Sequence, residues 1–442
     1  MIILYREITE SLKAWKTSSH RKPLLITGIR QCGKTYILKK FAEDFFEDAA
    51  YFYFEGNKRL ASIFQTDFDT TRIIDELGSV IRHKQIIPGK TLIIFDEIQA
   101  CPEAITALKY FYETIPELHI VCAGSLLGVA LKRNNISFPV GKVDRLNMYP
   151  MSFKEFLIAN GHNNLINGLL KYDAENPLPE LYTTTLAKEL KYYYLIGGLP
   201  EVVSRWIETH DFAEVAKLQN NILEDYANDF SKYAPISEVP KINWIWESVP
   251  IQLARENNKF FFSHVKQGKR SKDLEDALEW LKNAGLINKL DLVTTPEFPL
   301  AFNADASYFK IYMADVGLLC RRCGLTADTV LEENAYYKNF KGALTENFVL
   351  TELLHAGIHP YFWRSGNTAE LDFLFEYNNK VVPMEAKAET HTRAKSYGLF
   401  CKKYVPATGF KCSMKNIGVN EAEATKTVSL PLYLLWNIKS YL

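Results

Sequence analysis

Gly28-Ile29-Arg30-Gln31-Cys32-Gly33-Lys34-Thr35 is the stretch of this chain best equipped for chemistry. It fits G-x-x-x-x-G-K-T without a gap. Glycines at 28 and 33 permit a tight turn whose backbone N–H groups can close around phosphate oxygens. Arg30, Gln31 and Cys32 would contribute to that cradle, and Tyr36 would join them at the head of the next helix. Lys34 would reach the β- and γ-phosphates, and the Thr35 hydroxyl would sit on magnesium. A second candidate lies downstream, where the apolar run Thr91-Leu92-Ile93-Ile94-Phe95 ends in Asp96-Glu97. A buried strand with a double acid at its C-terminal end suits a metal-and-water site. Asp96 would hold magnesium through water, and Glu97 would polarise the attacking water. The chemistry implied is ATP binding with Mg2+ and hydrolysis by a built-in base.

The elements around these residues agree. Pro23–Thr27 reads as a short buried strand entering the loop, and 36–42 as an amphipathic helix leaving it, its positive dipole end toward phosphate. Glu117–Ser125 reads as a further core strand, lying between the loop strand and the acidic strand. Ser125 at its end could sense the γ-phosphate, or simply cap a turn. Lys142 and Arg145 are candidates for a cationic finger, although either could be a solvated surface charge. Asn288-Lys289-Leu290-Asp291 matches the guanine-selecting N-K-x-D pattern. It stands far from the loop, however, and the acidic strand ends D-E rather than D-x-x-G, so guanine specificity is rejected.

The last hundred or so residues carry a different constellation. Glu370–Phe375 reads as a strand with Asp372 on the face opposite Leu371 and Phe373. Val381–Ala388 reads as the next strand, with Glu385 and Lys387 on one face. A hairpin would bring Asp372, Glu385 and Lys387 together, in the D-x(n)-E-x-K arrangement of restriction-endonuclease-like nucleases. Carboxylates suit Mg2+ or Mn2+, and a lysine beside the metal could orient or deprotonate water for attack on a phosphodiester. Glu346, on the preceding helix, could add an acid. A surface charge pair gives the same pattern, and Glu189-Leu190-Lys191 meets E-x-K with no partner aspartate. Spacing alone therefore leaves both readings open.

Composition bounds the rest. The chain has 442 residues, formal net charge +0, 47% hydrophobic and 13% aromatic residues, enough for several domains with ample cores. Neutrality argues against nonspecific nucleic-acid affinity over the whole surface and leaves room for a local patch. Seven scattered cysteines point to reduced thiols and a cytoplasmic setting. Cys320 and Cys323 lack a second pair at zinc spacing, and Gly357 and Pro360 break any helix aligning His355 with His359. The first residues are charged too early for a signal peptide. No apolar run approaches the ~18 residues of a membrane span.

Strands at 23–27, 50–55, 91–96 and 118–124, with a fifth near 143–149, alternate with helices. That is the pattern of an α/β fold, a parallel sheet with helices on both faces. Four parts are expected: a P-loop domain over 1–158, a helical linker or lid over 159–240, a winged-helix-like part over 241–330 and an α/β part over 331–442. Tyr149–Phe156 closes the first part, with Ser152 capping a new helix and Glu155 at capping-box spacing. Gly197-Gly198-Leu199-Pro200 reads as a corner between helices. In the winged-helix-like part, basic residues at 264–272 suit phosphate contacts. Asp273, Glu275, Asp276 and Glu279 on the candidate recognition helix instead repel a duplex.

G-I-R-Q-C-G-K-T at 28–35, F-D-E-I-Q at 95–99, C-A-G-S at 122–125 and F-P-V-G-K-V at 138–143 occur in order. M-Y-P-M-S-F-K-E-F at 148–156, I-G-G-L-P-E-V-V at 196–203, K-I-Y-M-A-D-V-G-L-L at 310–319, A-E-L-D-F-L-F and M-E-A-K follow. Together they resemble a family of prokaryotic ATPases in the AAA+ superfamily, related to archaeal STAND-type ATPases. The resemblance implies an α/β ATPase core, a winged-helix element and a restriction-endonuclease-like C-terminal fold. It implies nucleotide binding by Gly28, Gly33, Lys34 and Thr35, magnesium at Asp96 and the base at Glu97. Lys142 stands where such proteins often carry arginine, and lysine lacks the planar fork for two phosphate oxygens. Two functions remain open. The nucleotide cycle could drive or gate a nuclease-like domain acting on DNA or RNA. Alternatively it could switch the binding of a protein partner, with the C-terminal fold an inactive scaffold. Oligomeric state is not set by the sequence.

Overall fold

All the strands around the phosphate loop run parallel, which brings their C-terminal ends, and the loops that follow them, to one edge of the sheet. The computed structural model describes residues 4–124, 126–129, 138–254, 259–366, 369–390, 395–421 and 424–442. It divides into two units, one of Tyr5–Tyr149 with Asn283–Leu286, the other chiefly of Pro150–Lys282 and Ile287–Leu442.

In the first unit, β1 (Leu24–Thr27), β2 (Asp48–Tyr53), β3 (Thr91–Asp96), β4 (His119–Ala123) and β5 (Asp144–Asn147) form a sheet of order β2-β3-β4-β1-β5. These are the five strands expected; β3 keeps its expected bounds, and the others are displaced or shortened by one or two residues. Every residue of β3 and β4 is buried, because interior strands of a parallel sheet are covered on both faces. The helix Pro102–Thr114 buries Ala104, Ile105, Leu108 and Phe111, in one apolar cluster with Ile93, Phe95 and Phe52. β4 lies between β1 and β3, so the loop strand and the acidic strand are separated by one strand.

Near the start of the main segment of the second unit, Ser152 caps the helix Phe153–Ala159 in a full capping box with Glu155. Helices Asn163–Leu169, Glu180–Ile196, Pro200–Thr209, Phe212–Tyr233, Val239–Leu253 and Ser271–Asn283 follow. β6 (Ile287–Val293), β7 (Ala304–Met313), β8 (Tyr361–Ser365), β9 (Ala369–Tyr377), β10 (Lys380–Ala386), β11 (Thr408–Ser413), β12 (Gly418–Asn420) and β13 (Lys426–Pro431) make one mixed sheet. Its order is β12-β13-β11-β10-β9-β8-β6-β7. Strands from 241–330 and from 331–442 thus share a sheet, joined where β6 pairs in parallel with β8, Leu292 with Phe362 and Val293 with Trp363.

The Gly197-Gly198 corner has a close-packing reason. A Cβ on Gly197 would lie 2.2 Å from Asp315 Oδ1, and one on Gly198 2.2 Å from the Met151 carbonyl oxygen. Gly198 N donates to Asp315 Oδ2 at 2.7 Å, and Gly317 backs against the Ile196–Gly197 peptide. The I-G-G-L-P and A-D-V-G segments are two halves of one contact. Burial pushes the Asp315 carboxyl up to about 6 against the three backbone N–H groups that oppose the shift.

Candidate nucleotide site and candidate metal site

The phosphate loop leaves β1 through Gly28 at φ +147° and closes at Gly33, φ +92°, the residue before the helix Lys34–Phe45. A Cβ on Gly28 would meet the Met148 carbonyl oxygen at 2.1 Å, so only glycine passes there. Gln31 also takes a positive φ, 65°. Lys34 is buried and its Nζ donates to the carbonyls of Gly28 and Ile29, each at 2.8 Å. Arg6 reaches under the loop from the N-terminal segment. Its guanidinium donates to the Cys32 carbonyl at 2.8 Å and the Tyr149 carbonyl at 2.6 Å. Arg30 is exposed, Cys32 buried, and Tyr36 half-buried on the first turn of the helix.

Thr35 Oγ1 donates to Asp96 Oδ2 at 2.7 Å, so the loop hydroxyl and the strand-end carboxylate meet as their types and spacing predict. Tyr51 OH donates to the same oxygen at 2.8 Å; burial, then this bond, raises the phenol above its ordinary range. Glu97 adopts a left-handed backbone, φ 50°, and its N–H donates to Asp96 Oδ1 at 3.1 Å. Gln99 Nε2 donates to Glu97 Oε2, and a Cβ on Gly124 would fall 1.9 Å from Gln99 Oε1. Ser125 lies outside the described residues. Lys142 Nζ pairs with Glu113 Oε1 at 3.1 Å, and Arg145 lies over the Phe138 ring. Sequence reasoning missed Arg6, Tyr51 and Gln99. Gln99 alone left a local trace, two positions after the base candidate.

In the second unit, β9 and β10 are antiparallel, Met384 opposite Phe373, which makes Asp372 and Glu385 neighbours on the next rung. β10 stops at Ala386, but Lys387 N still donates to Cys412 O at 2.8 Å, so Lys387 keeps the strand's direction. Its Nζ lies 2.7 Å from Glu385 Oε1 and 3.4 Å from Asp372 Oδ2. Asp372 Oδ2 also accepts from Ala386 N at 2.9 Å. Burial, then the Glu385 and Glu346 charges, pushes the Asp372 carboxyl up to about 7. Burial likewise raises Glu385, against the opposing pull of Lys387. Lys387 is raised because the surrounding carboxylates outweigh its own desolvation.

Glu346 accepts from Tyr312 OH at 2.7 Å, and buried Lys310 stands 3.6 Å from Glu346 and 2.7 Å from Glu370. Lys310 and Tyr312 open the K-I-Y-M-A-D-V-G-L-L segment, but nothing in that segment tied them to Glu346 or Glu370, because those partners are remote in the chain. Among the described residues no group of three His, Cys, Asp or Glu is placed to hold one metal ion. The donor pair nonetheless fits a divalent cation. Glu385 Oε2 is buried with no hydrogen-bond partner, and both carboxyls resist ionising where they stand. One or two carboxylates completed by water and substrate oxygens is a common magnesium shell.

Residues 20–157 match the AAA domain family, 187–329 a domain of unknown function (DUF8612), and 341–433 another (DUF4143). The chain is similar to the uncharacterized protein MJ1544 of Methanocaldococcus jannaschii, 22% identical over 374 residues, covering 80% of this chain and 72% of that protein. Among solved structures it is similar to the Walker-type ATPase PABY2304 of Pyrococcus abyssi, with TM-score 0.45, 16% identity, and 72% and 96% of the two chains covered. The Aeropyrum pernix ORC2 protein is also similar, with TM-score 0.39, 11% identity, and 75% and 96% covered. No helix among the described residues is long and apolar enough to cross a membrane. With its phosphate loop, parallel sheet and strand-end acids, the segment 20–157 is a P-loop nucleotide-binding domain of the AAA+ ATPase kind.

Proposed function

We propose that this protein is a magnesium-dependent ATPase whose nucleotide cycle drives or gates a C-terminal domain that cleaves nucleic acid. The hydrogen bond from Thr35 to Asp96, 2.7 Å, carries the first half of the reading. Thr35 and Asp96 would hold magnesium, which would neutralise charge on the β- and γ-phosphates. Lys34 would exchange its loop carbonyls for phosphate oxygens, and Glu97 would take the proton of the attacking water. Gln99 holds the Glu97 carboxylate in its orientation. Lys34→Ala is expected to abolish ATP binding, measured by calorimetry; retained binding would remove Lys34 from the site.

The buried, partnerless Glu385 Oε2 carries the second half. Asp372 and Glu385 would hold Mg2+ or Mn2+, which would polarise a phosphodiester oxygen. Lys387, bonded to both carboxylates, would position the attacking water. The part over 241–330, with most of the helix Val239–Leu253, the helix Ser271–Asn283 and the β6–β7 pair, is read as winged-helix-like. Cleavage of DNA or RNA with Mn2+, lost in Asp372→Asn, is the expected result; a wild-type chain that cleaves neither would remove the nuclease reading. A second reading is favoured by the helix Ser271–Asn283, which leaves Glu275 and Asp276 exposed. On that reading the ATP state selects a protein partner, and Glu97→Gln with ATP should capture it.

A further inference from the structure

We propose that Lys259, Tyr308 and Arg364 form an anchor for a nucleic-acid backbone phosphate next to the carboxylates of the second unit. The proposal rests on the nuclease reading for the identity of its ligand, and on its own geometry for the site. Lys259 Nζ lies 3.3 Å from the centroid of the Tyr308 ring, and the Arg364 guanidinium carbon 5.7 Å from the same centroid. Arg364 Nη1 donates to Tyr308 OH. Two cations are therefore gathered on one aromatic ring.

Like charges this close repel, and burial together with the Arg364 charge lowers the Lys259 ammonium from its ordinary value. Asp305 is the acid whose field opposes that shift. Among the described residues neither cation makes an ion pair, in contrast to Lys310 and Lys387, both of which sit on carboxylates. Cation–π contact offsets part of the repulsion; a bound anion would remove it. An ammonium and a planar guanidinium held at the same ring suit the oxygens of one phosphate.

Placement says which phosphate. Lys259 makes an isolated antiparallel bridge with Lys310, and Arg364 stands opposite Glu370 in the β8–β9 ladder. Glu370 and Asp372 alternate onto one face of β9, as Tyr308 and Lys310 do on β7. The salt bridge from Lys310 to Glu370 ties the two sets to the same face. The anchor therefore lies on the same face of the sheet as Asp372 and Glu385, the side where a phosphodiester would be attacked. Phe261, 37% exposed, has Lys259 4.8 Å from its ring. An accessible aromatic beside the cations is what stacking of a single-stranded base requires.

The test uses the full chain in EDTA, where metal-dependent cleavage is prevented, with a fluorescein-labelled single strand of about 20 nucleotides. Binding is followed by anisotropy from about 50 to about 300 mM KCl, with DNA and with RNA. Lys259→Gln and Arg364→Gln should each weaken binding and reduce the slope of log K against log salt by about 0.7, and Lys259→Arg should restore both. Their melting temperatures should match wild type, separating loss of a contact from loss of fold. Slopes and affinities equal to wild type, or a wild-type chain that binds neither strand, would overturn the anchor. So would displacement of the strand by inorganic phosphate at equal molarity, which marks a free-phosphate site. A strand bound with a Lys259-dependent slope but left intact in Mn2+ would sink only the nuclease reading.

Discussion

Replacing Asp372 with asparagine should make the metal-free protein more stable at neutral pH, and the size of the effect follows from where that carboxyl sits. It is buried, with 8% of the residue exposed, and burial together with the Glu385 and Glu346 charges pushes it up to about 7. A folded-state value above the unfolded one means the native state binds the proton more tightly. The stability linked to that proton is complete below 3.8 and is lost as pH rises through about 7. The linked stability is on the order of a few kcal/mol, most of it lost between about pH 5 and about pH 8. Asparagine copies the neutral carboxyl, and its oxygen can still accept from Ala386 N. The variant and wild type should therefore melt together at low pH. In EDTA at about pH 8 the variant should melt higher by roughly 5 °C. Manganese at about 100 times its Kd should then add about 2.7 kcal/mol to wild type and far less to the variant. Calorimetry at the two pH values, with and without metal, measures all of this. A gap between wild type and variant that does not change with pH would refute the electrostatic reasoning.

Three further outcomes are expected. Glu97→Gln should keep ATP binding and lose hydrolysis ~10²-fold or more in a phosphate-release assay; normal turnover would move the base elsewhere. Arg6→Ala removes the donor to the Cys32 and Tyr149 carbonyls. It should cost about 2 kcal/mol in denaturant unfolding and weaken ATP binding without touching nucleotide; unchanged values on both counts would show that Arg6 does not brace the loop. Gly198→Ala places a Cβ 2.2 Å from the Met151 carbonyl oxygen, so unfolding should become easier by about 1–3 kcal/mol, and an unaltered melting curve would contradict the close packing.

Much of the first unit could be read along the chain, because its signals are local. The phosphate loop needs glycine at 28 and 33 for backbone angles its own few residues must adopt. The apolar run of β3 demands cover on both faces, and the Ser152–Glu155 capping box is satisfied within one turn. The D-x(n)-E-x-K spacing likewise anticipated that Lys387 would meet both Asp372 and Glu385. Spacing could not say whether those charges lay on the surface or inside, because burial belongs to the whole sheet. Tyr51 on Asp96, Arg6 beneath the loop, Lys310 between Glu346 and Glu370, and Lys259 with Arg364 on Tyr308 all join residues distant in sequence. Hydrogen bonds and charges act through space, so only the pairing of strands and the packing of helices determines which of them come within range. The residue types and spacing of the phosphate loop and its acidic strand were legible along the chain, since both are local features. Folding alone brought Tyr51, Arg6 and Gln99 to the loop and its acids and buried the second carboxylate pair, because burial and through-space contact belong to the packed sheet.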